Sequence, residues 1–355
     1  FSAVATVALQ EMAARVGVVA GSGLGEMLRA RLAPLARAVA TAWVLGALAL
    51  GNSAYETGNL LGARLGAAGL SGVDGRAWAP LLGALAFLLL WTGRYRLLER
   101  VLVTFVAVMG LAFLATAVAV GPELGAIVRG SVRPTWPESD PRLALALVGT
   151  TIVPYNLFLH ASAAAERWRG PADLAVARWD AAVSVSVGVL ISAAILVTAA
   201  ALPRGAPLGS AAEMAAALEP TLGPWARAVF SAGLLAAGLS SAITAPLAAA
   251  YAAGGALGWG RDLRDARLRA VWSFVLCVGT GFAVTGAAPV PAIVFAQLMN
   301  GLLLPLVVAF LLWAANDRSL LGPHANGWPA NLAGVAVWLV TAGLGIRSVW
   351  ALLGA

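Results

Sequence analysis

The chain is poor in charge and in cysteine. Only 11% of its 355 residues are charged, whereas soluble domains average about 25%. It contains no lysine, so all 23 basic residues are arginine, and Cys277 is its single cysteine. One cysteine excludes an intramolecular disulfide. The sequence also lacks a cluster of metal ligands, a nucleophile–histidine pair and a phosphate-binding loop. We therefore expect neither an enzyme nor a bound cofactor.

Apolar residues dominate instead, at 61% of the chain and a mean hydropathy of +0.87. A stretch of about 18–25 apolar residues can cross a ~30 Å hydrocarbon layer. We identify ten such stretches: 1–20, 38–63, 77–93, 98–120, 142–165, 179–202, 225–252, 270–287, 290–315 and 330–353. The sequence predicts a multi-pass, all-α integral membrane protein whose main partner is the lipid bilayer, and we expect a monomer. The net charge of +7 comes mostly from arginines in short loops and does not indicate nucleic-acid binding.

The arginines predict the orientation in the membrane, because cytoplasmic loops carry the excess of basic residues. Alternate loops hold fourteen arginines on one side and eight on the other. The richer side, which includes Arg29 and Arg37, is predicted to be cytoplasmic. Phe1 then lies outside, although the chain opens directly in apolar sequence without the features of a signal peptide. The simplest explanation is a further span upstream of Phe1.

One predicted span, 143–163, contains a polar break around Pro154. Proline cannot donate the amide hydrogen bond of a continuous helix. In lipid, a freed backbone is tolerated only where protein or a hydrated cavity satisfies it. Hydroxyls of Thr150, Thr151 and Tyr155 beside freed carbonyls could bind an ion or polar solute near the bilayer midplane. The alternative is a simple proline kink that the threonine hydroxyls satisfy.

The polar intervals between the spans are short, so we predict one transmembrane domain over residues 1–355 and no soluble domain. The interval 121–141 is predicted to be a proline-rich external loop. The segment 21–37 is predicted to be a short amphipathic connection, and 204–224 an external loop with a short helix at Ser210–Leu218.

Four segments carry a family resemblance: LQEMAARVGVVAGSGLGE (9–26), GTTIVPYNLFLHAS (149–162), GLSSAITAPLA (238–248) and AQLMNGLLLPLVVAFLLWAANDRSLLG (296–322). They resemble, in the same order, the second, sixth, eighth and tenth helices of the Nramp metal-ion transporters, a family found in bacterial inner membranes. The resemblance implies a LeuT-like bundle of two inverted five-helix repeats. Residues 1–120 would be the remainder of the first repeat, 142–315 the second, and 330–353 an extra helix. The visible spans would be helices 2–11, with the first, broken helix upstream of Phe1.

The chain departs from the family at the break. Val153 stands where the family motif has a methionine, and Tyr155 where it has a histidine. A thioether selects softer transition metals, while hard cations such as Mg²⁺ prefer oxygen. Val153 lies at the site but cannot coordinate through its side chain. The resemblance leaves Thr150, Tyr155 and Gln297 as candidate metal ligands, with Asn156 beside them.

Further candidates come from polar residues inside the spans. An unpaired charge at the bilayer centre costs at least ~2.5–3.5 kcal/mol, which makes Glu56 informative. It aligns with an aspartate of the family's proton route, while Asn59 aligns with a glutamate of that route. Glu56 could equally be a protonated acid bonded to a neighbouring helix. His160 is a second proton-route candidate, and Thr151, Ser192 and Asn300 complete the predicted substrate site.

The resemblance predicts a secondary active transporter of divalent metal cations that works by alternating access. Mg²⁺ and Mn²⁺ would be carried with reduced selectivity for transition metals, and protons could be co-substrates. Two alternatives stay open, because a fold does not fix a function. One is a transporter of a non-metal solute, and the other is a relative that has lost transport. Since such folds build the site from both broken helices, a chain that begins at Phe1 is not expected to transport alone.

Overall fold

The computed structural model describes residues 1–31, 34–73, 75–92, 96–133, 141–168, 170–203, 208–285 and 288–352. Most of these residues are helical, and none of them forms a strand. The helices are α1 (Ser2–Ala20), α2 (Leu24–Arg31), α3 (Pro34–Ser71), α4 (Trp78–Thr92), α5 (Arg96–Ala119), α6 (Leu124–Val132), α7 (Pro141–Thr151), α8 (Pro154–Arg167), α9 (Leu174–Ala200), α10 (Ala211–Ala215), α11 (Glu219–Leu222), α12 (Ala226–Leu257), α13 (Ala266–Val284), α14 (Pro289–Ala315), α15 (Arg318–Leu321) and α16 (Trp328–Leu352).

Eight segments of the described chain are long and apolar enough to cross a membrane. They are Ser2–Ala20, Arg100–Ala119, Arg142–Arg167, Pro171–Ala200, Ala211–Leu257, Ala266–Val284, Pro289–Ala315 and Trp328–Trp350. The other two predicted stretches are also helical but lie outside this set: 38–63 is part of the 38-residue α3, and 77–93 corresponds to the 15-residue α4. The prediction of an all-helical, multi-pass membrane protein is confirmed.

Helix α3 forms the centre of the bundle, in contact with α12, α13 and α14. Small residues allow this close approach, as is common in membrane bundles. A Cβ on Gly66 would collide with the backbone of α12 at Ser231 and Leu235, and one on Gly238 would collide with the backbone of α3 at Asn59. The buried middle of α3 therefore lies against backbone rather than lipid.

Residues 121–141 are not wholly a loop, so this prediction was wrong for Leu124–Val132, which form α6. The apolar side chains of Leu124, Ile127, Val128 and Val132 follow helical spacing, and all four are exposed. A short helix with such a face is typical of segments that lie along a membrane surface. Nearby glycines and prolines obscured the pattern in the sequence, and 134–140 lie outside the described residues.

The segment 21–37, predicted only as an amphipathic connection, contains helix α2 at Leu24–Arg31, and its last residues belong to α3. The short helix predicted at Ser210–Leu218 is confirmed. Helix α10 and the helical turn after it occupy 211–218, and Ser210 caps this segment. The Ser210 hydroxyl accepts the Glu213 N–H at 3.2 Å, and the Glu213 carboxylate accepts the Ser210 N–H at 3.0 Å. This reciprocal pair satisfies two N–H groups that would otherwise lack a helical acceptor.

Candidate functional site

The broken span consists of two helices that are separated by Ile152 and Val153. Helix α7 ends at Thr151, Val153 is extended (φ −83°, ψ 121°), and Pro154 is the first residue of α8. Proline suits this position because a first-turn N–H would have no helical acceptor. Its missing N–H also leaves the carbonyl of Thr150, four residues earlier, without a helical donor. The break predicted from Pro154 is confirmed.

The break is packed inside the bundle. Val153 is 5% exposed and Tyr155 is 3% exposed. The Tyr155 ring meets Tyr55 of α3 edge to face, with ring centroids 5.3 Å apart. The Thr151 hydroxyl donates to the Leu147 carbonyl at 2.8 Å, which is the bond expected if the threonine hydroxyls satisfy a simple proline kink. The Thr150 side chain, in contrast, is exposed. Among the described residues of the break, Thr150 thus combines a carbonyl that lacks a helical donor with an exposed side chain that carries a hydroxyl.

Helix α14 reaches the break at Gly149. A Cβ on Gly149 would overlap the backbone of Gln297 and Gly301, so only glycine permits this contact. The Asn300 side-chain amide donates to the Gln297 side-chain oxygen at 3.4 Å, and Asn300 is 1% exposed. Both predicted α14 residues therefore lie in the segment that packs against the end of α7.

A polar stripe on α3 lies next to this part of α14. Asn52, Glu56 and Asn59 follow the spacing i, i+4, i+7 of one helix face, and Glu56 is fully buried. The Asn59 amide donates to one Glu56 carboxylate oxygen at 3.3 Å, and the other oxygen has no partner among the described residues. A Cβ on Gly51 would lie 3.9 Å from the Asn300 side-chain oxygen, so this part of α3 also meets α14.

The structure places the remaining candidates on α8 and α9. His160 is half-buried on α8, and its Nε2 has no partner within the described chain. Asn156 is half-buried in the first turn of α8, with its backbone N–H on the Val153 carbonyl at 3.1 Å. Ser192 is exposed on α9, so its packing does not direct it toward the break, and its role stays a prediction.

Sequence reasoning missed Gln10 of α1. Its side-chain oxygen is buried without a partner in the part of the chain that the structure describes. Helix α1 packs alongside α8, with Gly17 against the Ala161 carbonyl and Val18 in a cluster with Trp168. Gln10 lies about two turns before Gly17, hence near the level of the first turn of α8. The only signal in the sequence was an amide inside an apolar span.

A charged cluster lies at the predicted cytoplasmic end. Arg261, in the loop after α12, donates to both Glu26 oxygens at 3.0 and 2.7 Å and to Glu166 at 3.4 Å. Partial burial would lower the pKa of the Arg261 guanidinium, but the two carboxylates outweigh it and raise that pKa above its ordinary value. Glu26 also accepts the Gly23 N–H at 2.9 Å. The cluster connects the end of α8 to α2.

A discontinuous helix whose break lies inside a multi-pass bundle is the arrangement of secondary transporters. The family model described as natural resistance-associated macrophage protein-like, Nramp, matches residues 1–351. The chain belongs to the Nramp family, and the LeuT-like fold is confirmed with it.

Individual relatives match over nearly the whole chain. It is 29% identical over 377 residues to the divalent metal cation transporter MntH of Ralstonia nicotianae, covering 98% of this chain and 81% of that protein. It is 30% identical over 357 residues to MntH 1 of Pseudomonas aeruginosa, covering 94% and 79%. A crystal structure of the Eremococcus coleocola manganese transporter with an aromatic bis-isothiourea substituted compound matches with a TM-score of 0.76 at 22% identity, covering 98% and 78%.

Proposed function

We propose that the protein is a secondary transporter of divalent metal cations, with its substrate site at the α7–α8 break. The observation that carries the proposal is the Thr150 carbonyl, freed by Pro154, beside the segment of α14 that holds Gln297. The names of the relatives, divalent metal cation transporters and a manganese transporter, support the substrate class.

The donor set favours hard cations. Thr150 offers a carbonyl, Tyr155 a hydroxyl and Gln297 an amide oxygen, while Val153 fills the adjacent position with an apolar side chain. Oxygen ligands suit Mg²⁺ and Mn²⁺, and Mg²⁺ usually keeps several of its waters. Transport would therefore discriminate weakly between Mg²⁺ and transition metals.

Glu56 is proposed to take up and release the coupling proton, with His160 farther along α8. A fully buried carboxylate with one amide donor is stable when it is protonated or beside a cation, because an uncompensated charge in the membrane is costly. Metal binding next to α3 would thus favour proton release. Alternating access would move α7 and α8 relative to α3 and α14.

The test is uptake of Mn²⁺ into proteoliposomes that contain the full-length protein. We expect saturable Mn²⁺ uptake over protein-free liposomes, and competition by Mg²⁺ in a similar concentration range. Absence of any divalent-cation uptake would contradict the proposed substrate and favour the other two function classes. Strong exclusion of Mg²⁺ alongside tight Mn²⁺ or Cd²⁺ transport would contradict the oxygen-only site.

Val153→Met should shift selectivity toward soft metals. A thioether beside the Thr150 carbonyl would add a ligand that Cd²⁺ prefers and Mg²⁺ does not. We expect the ratio of Cd²⁺ to Mg²⁺ competition against Mn²⁺ uptake to rise about tenfold, equivalent to about 1.4 kcal/mol. Val153→Leu, which adds bulk without sulfur, is the matched control. An equal change in both variants would show that side-chain size, not the thioether, sets the ratio.

A further inference from the structure

Helix α6 stands between α5 and α7, whose near ends lie on the predicted external side of the membrane. Helix α5 ends at Ala119, and Gly121 then takes the left-handed conformation (φ 63°) that commonly follows the last turn of a helix. Five Cα–Cα steps lead from Ala119 to Leu124, so α6 starts within about 18 Å of the end of α5. A link this short holds the start of α6 near the headgroup layer that borders the hydrocarbon.

The side chains of α6 separate into an apolar face and a polar face. About 100° separates successive residues of a helix, which puts the four large apolar side chains of α6 within an arc of about 140°. They are Leu124, Ile127, Val128 and Val132. Arg129 lies about 130° from the centre of this arc, and Arg133 follows one turn later on the same side. The small residues Ala126 and Gly130 complete the polar face.

The described part of the bundle leaves the apolar face of α6 uncovered. None of the nine residues of α6, all of which the structure describes, is buried. Exposed apolar side chains also flank α6 in the sequence, with Val118 near the end of α5 and Leu143 near the start of α7. In a membrane bundle such side chains face lipid, and a contiguous exposed apolar surface marks a site of interaction. The lipid-facing surface of the two neighbouring spans therefore continues onto α6.

The polar face of α6 has the charge that suits a phospholipid surface. The segment 123–133 holds two arginines, Arg129 and Arg133, and one acid, Glu123. The Arg129 guanidinium donates to the Glu123 carboxylate at 2.8 Å, and both side chains are mostly exposed. An arginine can lay its apolar stem along apolar surface while its guanidinium stays in the polar layer. The net positive charge of this segment complements the phosphates of that layer.

We propose that α6 is a surface anchor that binds the phospholipids of the external leaflet. The helix lies in the plane of the membrane, with its four apolar side chains in the acyl region and its two arginines at the level of the phosphates. Helices of this kind bury their apolar face about 5–10 Å into the boundary between headgroups and acyl chains. The inference rests on the membrane fold and is independent of the metal site.

The test is spin labelling of the protein in phospholipid liposomes, after Cys277→Ala has removed the single cysteine. Ile127→Cys and Val128→Cys place the label on the apolar face, and Ala126→Cys and Gly130→Cys are the matched controls on the polar face. Collisions of the label with oxygen, which concentrates among acyl chains, and with a water-soluble nickel chelate report its depth. We expect the labels at 127 and 128 to lie about 5–10 Å deeper than those at 126 and 130.

Two results of this experiment would overturn the proposal. Frequent collisions with the nickel chelate at all four positions would place α6 in water. Rare collisions with both reagents at 127 and 128 would show that protein covers the apolar face, either the bundle itself or a second copy of the chain.

A charge on the apolar face should lift α6 out of the acyl region. Val128→Glu removes apolar area from the middle of that face and adds a carboxylate, which lipid does not solvate. With the label at Ile127→Cys, we expect this variant to lose the depth of about 5–10 Å. Ala126→Glu, on the polar face, is the matched control and should keep that depth, with size-exclusion chromatography showing a folded protein in both cases. The same label depth in the two glutamate variants would overturn the proposal.

Discussion

Glu56→Gln is expected to abolish the pH dependence of metal uptake while leaving the fold intact. Glutamine keeps the shape and can still accept the Asn59 amide that bonds the carboxylate at 3.3 Å, but it cannot exchange a proton. Coupling free energies between two ligands are about 1–3 kcal/mol, which corresponds to roughly 5- to 150-fold in affinity. We expect the apparent Mn²⁺ affinity to vary with pH by a factor in that range in the unmodified protein and to be flat in the variant. Uptake measured at several external pH values gives both curves.

The matched control is Glu123→Gln, which removes an exposed carboxylate outside the predicted spans and should keep the pH dependence. If Glu56 is only a protonated structural acid, glutamine replaces it without consequence. Identical pH profiles for Glu56→Gln and the unmodified protein would therefore contradict the proton role. Retained Mn²⁺ uptake in Glu56→Gln with an affinity that does not vary with pH would show that Glu56 serves proton coupling and is not needed for metal binding.

Arg15→Met is expected to cause the largest loss of stability. Arg15 is 3% exposed and binds both oxygens of Glu11 at 3.0 and 3.1 Å, the His324 carbonyl at 2.6 Å and the Asn326 side chain at 2.6 Å. Removing one partner of a buried ion pair costs about 3–5 kcal/mol, because the other is left uncompensated. Glu11 is partly exposed and keeps Arg178 at 2.8 Å, so we expect the lower end, about 3 kcal/mol. Unfolding in mixed micelles, followed by tryptophan fluorescence, measures the change.

Arg129→Met is the matched control for this comparison. Its pair with Glu123 is as short, at 2.8 Å, but both side chains are mostly exposed. Such pairs contribute about 0–1 kcal/mol. Equal unfolding midpoints for the Arg15 and Arg129 variants would show that the interactions of Arg15 are not important for stability.

The membrane fold could be predicted because length and apolarity alone decide where a chain can cross lipid. Hydropathy does not show where a helix stops, so the predicted span 38–63 is shorter than α3. The helix includes Arg37 before that span and continues past Arg64 to Ser71. Leu124–Val132 was missed for a related reason: its apolar face is exposed, and flanking prolines and glycines suggested a loop.

The candidate site could be predicted only where a residue breaks a local rule. Pro154 in an apolar span and Glu56 among apolar neighbours both do so, and the structure places the first at a break and buries the second. The contact of Gly149 with Gln297 could not be predicted, because it joins segments about 150 residues apart through a tertiary approach. The bonds from Arg15 to His324 and Asn326 were hidden for the same reason.

The most direct test of the metal site is an anomalous-scattering experiment on crystals of the protein soaked in Mn²⁺, repeated with Gln297→Leu. A manganese peak is predicted within about 2.0–2.6 Å of oxygens of Thr150 and Gln297, with waters completing its coordination. The peak should weaken or vanish in the variant. A strong peak elsewhere in the bundle, or one at the break that Gln297→Leu leaves unchanged, would contradict the assigned site.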